Sequence, residues 1–176
     1  MEATVNHRTE SASSLQASWL PSARLAALNI VLPRPAAPVG EYEPWARYAN
    51  LITTSFQLPF ENGSLPYIGQ LGRNVTAEEG MAAARLCALN GLARLAEAAG
   101  SIDNIRLIRL DGHIGCAPTF GDMPAVLDAA SRLIHDILGE RGRHARTSLG
   151  HHVMPRDVPV MLGFFAEVVD ANWKPA

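Results

Sequence analysis

The chain of 176 residues suits one domain with a full hydrophobic core and some excess length. Hydrophobic residues make up 48% and charged residues only 18%, so with no membrane span part of the surface is expected to be buried against partner subunits. The net charge is −2, Lys174 is the only lysine, and the arginines are scattered apart from Arg141, Arg143 and Arg146; this argues against a nucleic-acid partner.

Residues 1–18, polar around Ser11 to Ser14, lack the apolar core of a signal peptide and read as a disordered extension ahead of a domain over 19–176. Pro21 to Leu28 reads as a short helix with Ser18 available to cap it and Asn29 as its stop. A proline-rich connection, Val31 to Gly40, leads to two strands, Trp45 to Ala49 and Leu51 to Leu58, which form a hairpin near Asn50. Pro59 to Gly63 carries turn chemistry, and Tyr67 to Leu71 reads as a short returning strand.

Thr76-Ala77-Glu78-Glu79 is a capping box, and the helix it opens runs to about Ala99 with Gly100 as its stop. Met81, Ala84, Ala88, Leu92 and Leu95 form its apolar face, leaving Arg94 and Glu97 for solvent. Ile105 to Leu110 is the next strand, with a continuation towards Cys116. A second long helix from Asp122 and Pro124 to Gly139 buries Val126, Ala130, Leu133, Ile134 and Ile137. Thr147 to Met154 and Val158 to Val169 are the last strands, joined by a turn at Pro155-Arg156-Asp157. This order predicts one sheet with both long helices on a single face and another subunit over the other face.

Cys87 and Cys116 are too few for a disulfide scaffold or a zinc site and read as small buried hydrophobes, which fits a reducing, cytoplasmic location. No apolar run reaches the length of a membrane span, so no membrane partner is expected. No Gly-rich phosphate loop, zinc spacing or Ser-His-Asp elbow is present, and no cofactor or metal is expected.

The run Glu140-Arg141-Gly142-Arg143-His144-Ala145-Arg146 leads from a helix into a strand and sets the Arg146 guanidinium at the strand's mouth. There it can hold a carboxylate by two parallel hydrogen bonds or serve in a structural ion pair. Strand side chains alternate between faces, so His151 and His152 cannot serve one site. Counting in twos from Arg146 through Ser148 and Gly150 puts His152 on the cleft face, with His151 packing or meeting solvent. A hydrogen-bonded structural role is the alternative for His152, and for His113, which could also reach a cleft; His144 can position its loop. Asp128 is either a general base, if burial raises its pKa, or an exposed helix carboxylate. Tyr42 could pack beside the prolines.

Several short stretches in order resemble the Rid proteins, the YjgF-like reactive intermediate deaminases once labelled L-PSP endoribonucleases. They are Pro38-Val39-Gly40-Glu41-Tyr42, Ser55-Phe56-Gln57-Leu58-Pro59, Ala145-Arg146-Thr147-Ser148 and Pro155-Arg156-Asp157-Val158. The Ala83 to Asn90 stretch and the Glu140 to Arg146 run resemble a longer subgroup, and the likeness spans roughly Arg24 to Val169. The resemblance implies an α+β, chorismate-mutase-like fold, a homotrimer with a site in each cleft between subunits, and hydrolysis of enamines and imines to 2-keto acids and ammonia. It puts Arg146 on the substrate carboxylate, Tyr42 in the cleft lining and Ser55 on the loop beside it.

The departures bear on the chemistry. Ser148 stands where deaminases often carry cysteine, Asp128 where the longer subgroup has asparagine, and Phe56 replaces a glycine, which would narrow or reshape the pocket. Aligned through the Pro155 turn, Met161 and Gly163 take the positions of two glutamates, the first of which orders the attacking water in the family. The expected function is therefore that of an enzyme acting on a small carboxylate-bearing enamine or imine. It would do so by deamination through Ser148, Asp128 or His152, or by a diverged cyclisation or condensation. A non-catalytic trimeric ligand-binding or regulatory protein is the alternative.

Overall fold

The structure, a computed structural model, describes residues 20–38, 40–170 and 172–173. The expected extension over 1–18 and the cap at Ser18 lie outside the described residues. Helix α1 (Pro21–Ala27) starts with proline in its first turn, and Asn29, at φ 54°, ends it. Strands β1 (Trp45–Tyr48) and β2 (Leu51–Thr54) pair antiparallel across the expected hairpin, with Ala49 at φ 52° in the turn.

Strand β2 is shorter than the expected Leu51 to Leu58. After Thr54 the Ser55 amide turns to the Pro44 carbonyl at 3.0 Å, and the chain rejoins the sheet only at Gln57, which bonds Leu162 in both directions. That detour pushes Phe56 outward. The expected strand over Tyr67 to Leu71 is also absent. Gly69 and Gly72, at φ 120° and 75°, break the extended path, and Leu71 alone bridges to Val75 and Cys116.

Helix α2 (Ala77–Ala99) forms as the capping box demands: the Glu79 amide donates to Thr76 Oγ1 at 3.2 Å, and the Thr76 amide to Glu79 Oε2 at 2.8 Å. Gly100 closes it in the left-handed conformation, φ 78°. Its buried face is wider than predicted and includes Arg94, which is only 5% exposed rather than left for solvent. The proline-rich segment lies over that part of the helix, so Arg94 donates to the Ala36 carbonyl and pairs with Glu97 at 2.7 Å. Helical periodicity cannot show that a loop covers the polar side.

Strand β3 (Ile105–Gly115) runs past Leu110 as anticipated, with a register shift between Leu107 and Arg109. Helix α3 (Met123–Leu138) buries Val126, Ala130, Leu133, Ile134 and Ile137. Strand β4 (Ala145–His151) begins and ends earlier than the predicted Thr147 to Met154, and β5 (Val160–Val168) completes the sheet. The order is β1-β2-β5-β3-β4, with β3 and β4 parallel and the other neighbours antiparallel.

Both long helices cover one face. Leu162 and Phe164 of β5 and Leu110 and Ile114 of β3 are buried in that core. Cys87 and Cys116 are buried there, unpaired, as expected of small hydrophobes. The other face carries Arg109, Asp111 and His113 of β3, Thr147, Leu149 and His151 of β4, and Met161 and Gly163 of β5, all in register. No helix among the described residues is long and apolar enough to cross a membrane.

Candidate active site

Two groups of the predicted site residues lie on different surfaces of one chain. The first is a groove of about 420 Å³, part of it open solvent, under the proline-rich segment. Tyr42, Ser55 and Phe56 line it together with Gln57, Asn90 and Arg94. Its wall is tied to α2, because the Asn90 side-chain amide donates to the Leu58 and Phe60 carbonyls at 2.9 and 3.0 Å. Gln57 Nε2 donates to the Ser55 carbonyl at 2.8 Å, and Ser55 Oγ to the Pro44 carbonyl at 3.2 Å. These bonds hold the groove's rim in one shape without using a charge.

The second group sits where α3 packs on the edge strand β4. Arg146 points to the helix side of the sheet and is 22% exposed. Its Nη1 meets Asp128 Oδ1 at 2.9 Å and Ser131 Oγ at 3.1 Å, and Nη2 reaches the Pro124 carbonyl at 3.3 Å. Asp128 also faces Arg132 at 3.6 Å. The ion-pair reading of Arg146 is thus met. An ion pair fixes Nη1 and Nη2 is turned to the Pro124 carbonyl, while Nε makes no hydrogen bond among the described residues.

Ser131 and His144 extend this network and carried no site assignment in the sequence. Arg146 donates to Ser131 Oγ, so the serine hydroxyl is left to donate to His144 Nε2 at 3.1 Å. His144 Nδ1 then carries its proton towards the Gly142 carbonyl. Burial lowers the His144 pKa most; the bond to Gly142 raises it, and His135 and Arg146 lower it further. The neutral imidazole this favours is the form the chain of bonds requires.

The remaining candidates are dispersed. Ser148 also faces α3, and its hydroxyl is buried without a hydrogen-bond partner among the described residues. His152 is exposed and lies just past the end of β4, with its carbonyl accepting from Gln70 Nε2 at 2.5 Å. The alternation count that favoured it fails because the strand stops one residue earlier. His151 instead lies on the outer face and meets His113, Nε2 to Nδ1, at 2.7 Å. Met161 is the β5 neighbour of His113, and Gly163 lies under Phe56. A side chain at Gly163 would begin 2.8 Å from the Phe56 ring, so phenylalanine at 56 and glycine at 163 are one packing solution. Among the described residues no group of three or more acidic, histidine or cysteine side chains could hold a metal.

A family model described as "YjgF/chorismate mutase-like, putative endoribonuclease" matches residues 22–168. The chain belongs to this family. It is 34% identical over 157 residues to Protein TCP17 of Trypanosoma cruzi, covering 88% of this chain and 98% of that one. A solved structure from Shewanella oneidensis MR-1, described as a "putative endoribonuclease", is 39% identical with a TM-score of 0.81, covering 85% of this chain and 99% of that one. The Escherichia coli YjgF gene product has the same fold at 22% identity and a TM-score of 0.56, over 78% of this chain and 94% of that one. As a YjgF-like protein the chain has the expected chorismate-mutase-like fold, one mixed sheet under two long helices.

Proposed function

We propose that this YjgF-like protein is a Rid-type deaminase. Its substrate is a small carboxylate-bearing imine or enamine, hydrolysed to a 2-keto acid and ammonia without a cofactor in the cytoplasm. The observation that carries the reading is the half-buried Arg146, whose Nη1 is held by Asp128 and Ser131 and whose Nε makes no hydrogen bond among the described residues. A fixed fork sets the substrate carboxylate, and hence the imine carbon, in one orientation before water attacks. The neutral rim of Tyr42, Ser55 and Gln57 suits the remainder of a small substrate.

One chain cannot bring these parts together. Ser55 follows β2 while Arg146 lies on β4, with β5 and β3 between them. Neighbouring strands are about 4.8 Å apart, so roughly 14 Å of sheet separates the two, too far for one small substrate. A site that uses both takes the groove from one copy and the arginine from another. Such a contact joins two different surfaces, and it makes a ring where the rotation between copies closes. A homotrimer, as the Rid resemblance implies, is the ring we propose, and its subunits would cover the outer sheet face where Leu149 is 47% exposed. Light scattering at micromolar concentration should give three times the 18.9 kDa chain mass. A monomer would remove the shared site.

A further inference from the structure

Among the described residues, His113 and His151 form a side-chain pair on the outer sheet face that is equipped to move a proton. Their rings are 15° from coplanar with centroids 4.7 Å apart, while the facing nitrogens are only 2.7 Å apart. Rings so placed lie edge to edge, so the contact is an N–H···N hydrogen bond rather than a face-to-face stack. The parallel register of β3 and β4 builds it: Leu149 is opposite His113 and His151 opposite Gly115, so both imidazoles stand on the same face two residues apart. Phe56, which lines the groove, packs edge-on to His113 with centroids 4.6 Å apart at 79°. The pair is thus continuous with the groove through Phe56.

The carboxylates on that face are ion-paired. Asp111 is paired with Arg109 at 2.8 Å and Glu167 with Arg106 at 3.0 Å. Of the groove's polar side chains, Ser55, Gln57 and Asn90 donate to rim carbonyls, and neutral hydroxyl and amide groups are poor bases near neutral pH. We propose that His113, oriented by His151, is the proton acceptor of the reaction, a role that rests on the deaminase reading above. With its Nδ1–H donated to His151 Nε2, His113 keeps a lone pair on Nε2, the arrangement of a base held by a third group.

In the first step the water oxygen bonds to the imine carbon and the C=N π pair moves to nitrogen. His113 takes a proton from that water and delivers it to the nitrogen. In the second step His113 takes the carbinolamine hydroxyl proton as C=O forms, the C–N bond breaks with its pair on nitrogen, and the proton passes to the departing ammonia. Each step returns His113 to its neutral form.

The groups facing His113 are His151 from β4, Asp111 with Arg109 on its own strand, and the uncharged Met161, Gly163 and Phe56. Burial lowers its pKa most, the His151 ring lowers it further and Asp111 raises it, leaving it below the ordinary 6.5. The neutral base therefore persists at neutral pH.

The test uses 2-iminopropanoate generated from L-alanine by an amino-acid oxidase, with wild type, His113→Gln, His151→Gln and the double variant. His113→Gln should lower kcat by about 10²-fold with KM unchanged, and added imidazole should restore part of it. His151→Gln should cost less and move the acid limb of the kcat profile to higher pH. The double variant should match His113→Gln, because the two act as a unit. Wild-type kcat in His113→Gln, or a loss in KM alone without imidazole rescue, overturns the assignment and leaves the deaminase reading in place. A wild-type protein that never accelerates imine decay overturns both.

Discussion

Arg146→Ala should weaken binding of pyruvate and similar 2-keto carboxylates by roughly 10- to 100-fold, since a hydrogen bond to a charged group is worth about 1.5–3 kcal/mol. The effect reads through Nε and Nη2, of which only Nη2 has a partner among the described residues, the Pro124 carbonyl at 3.3 Å. Arg146→Lys should recover little, because an ammonium lacks the planar fork. The fold should survive both changes, as β4 is an edge strand and the core under it is apolar. Calorimetry with pyruvate is the check, and equal affinity for wild type and Arg146→Ala would remove the anchor.

Much of this was legible from the chain. The capping box at Thr76, the glycine stop at Gly100 and the apolar period of α3 are local signals, and each formed where local chemistry put it. The ion pair of Arg146 was legible as one of its two readings, from its place between helix and strand. What escaped depends on contacts far apart in sequence. Arg94 is buried because residues near Ala36 lie over it, and β2 ends early because Ser55 finds Pro44. The union of Arg146 with Asp128, Ser131 and His144 needs the packing of α3 on β4. The His113–His151 pair needs the register of two parallel strands joined through a helix, which alternation within one strand cannot supply. Assigning His152 to the cleft assumed that β4 continued beyond His151, and it does not.

Gly91→Ala should destabilise the protein although alanine is the better helix former. A Cβ at Gly91 would lie 2.0 Å from Cε2 and 2.2 Å from Cζ of Phe164, whose ring is 2% exposed between α2 and β5. The helical gain of up to about 1 kcal/mol is opposed by overpacking of about 1–3 kcal/mol, and so deep an overlap on a ring with no free side falls at the upper end. For a chain of this size each kcal/mol moves Tm by roughly 2–4 °C, so a fall of several degrees is expected. Phe164→Leu combined with Gly91→Ala should lose less than the two changes summed, since they share one space. A thermal scan in which Gly91→Ala matched or exceeded wild type would mean that the α2–β5 contact yields more readily than its geometry implies.

The proposed site turns over an imine rather than only holding a keto acid. The most direct measurement follows 2-iminopropanoate, formed in place by an amino-acid oxidase, together with the ammonia released. Wild-type protein should speed imine loss and ammonia release well above the buffer rate, and Arg146→Ala should lose most of that acceleration at low substrate. Decay at the buffer rate from a trimer that still binds pyruvate would contradict the account and identify a ligand-binding protein instead.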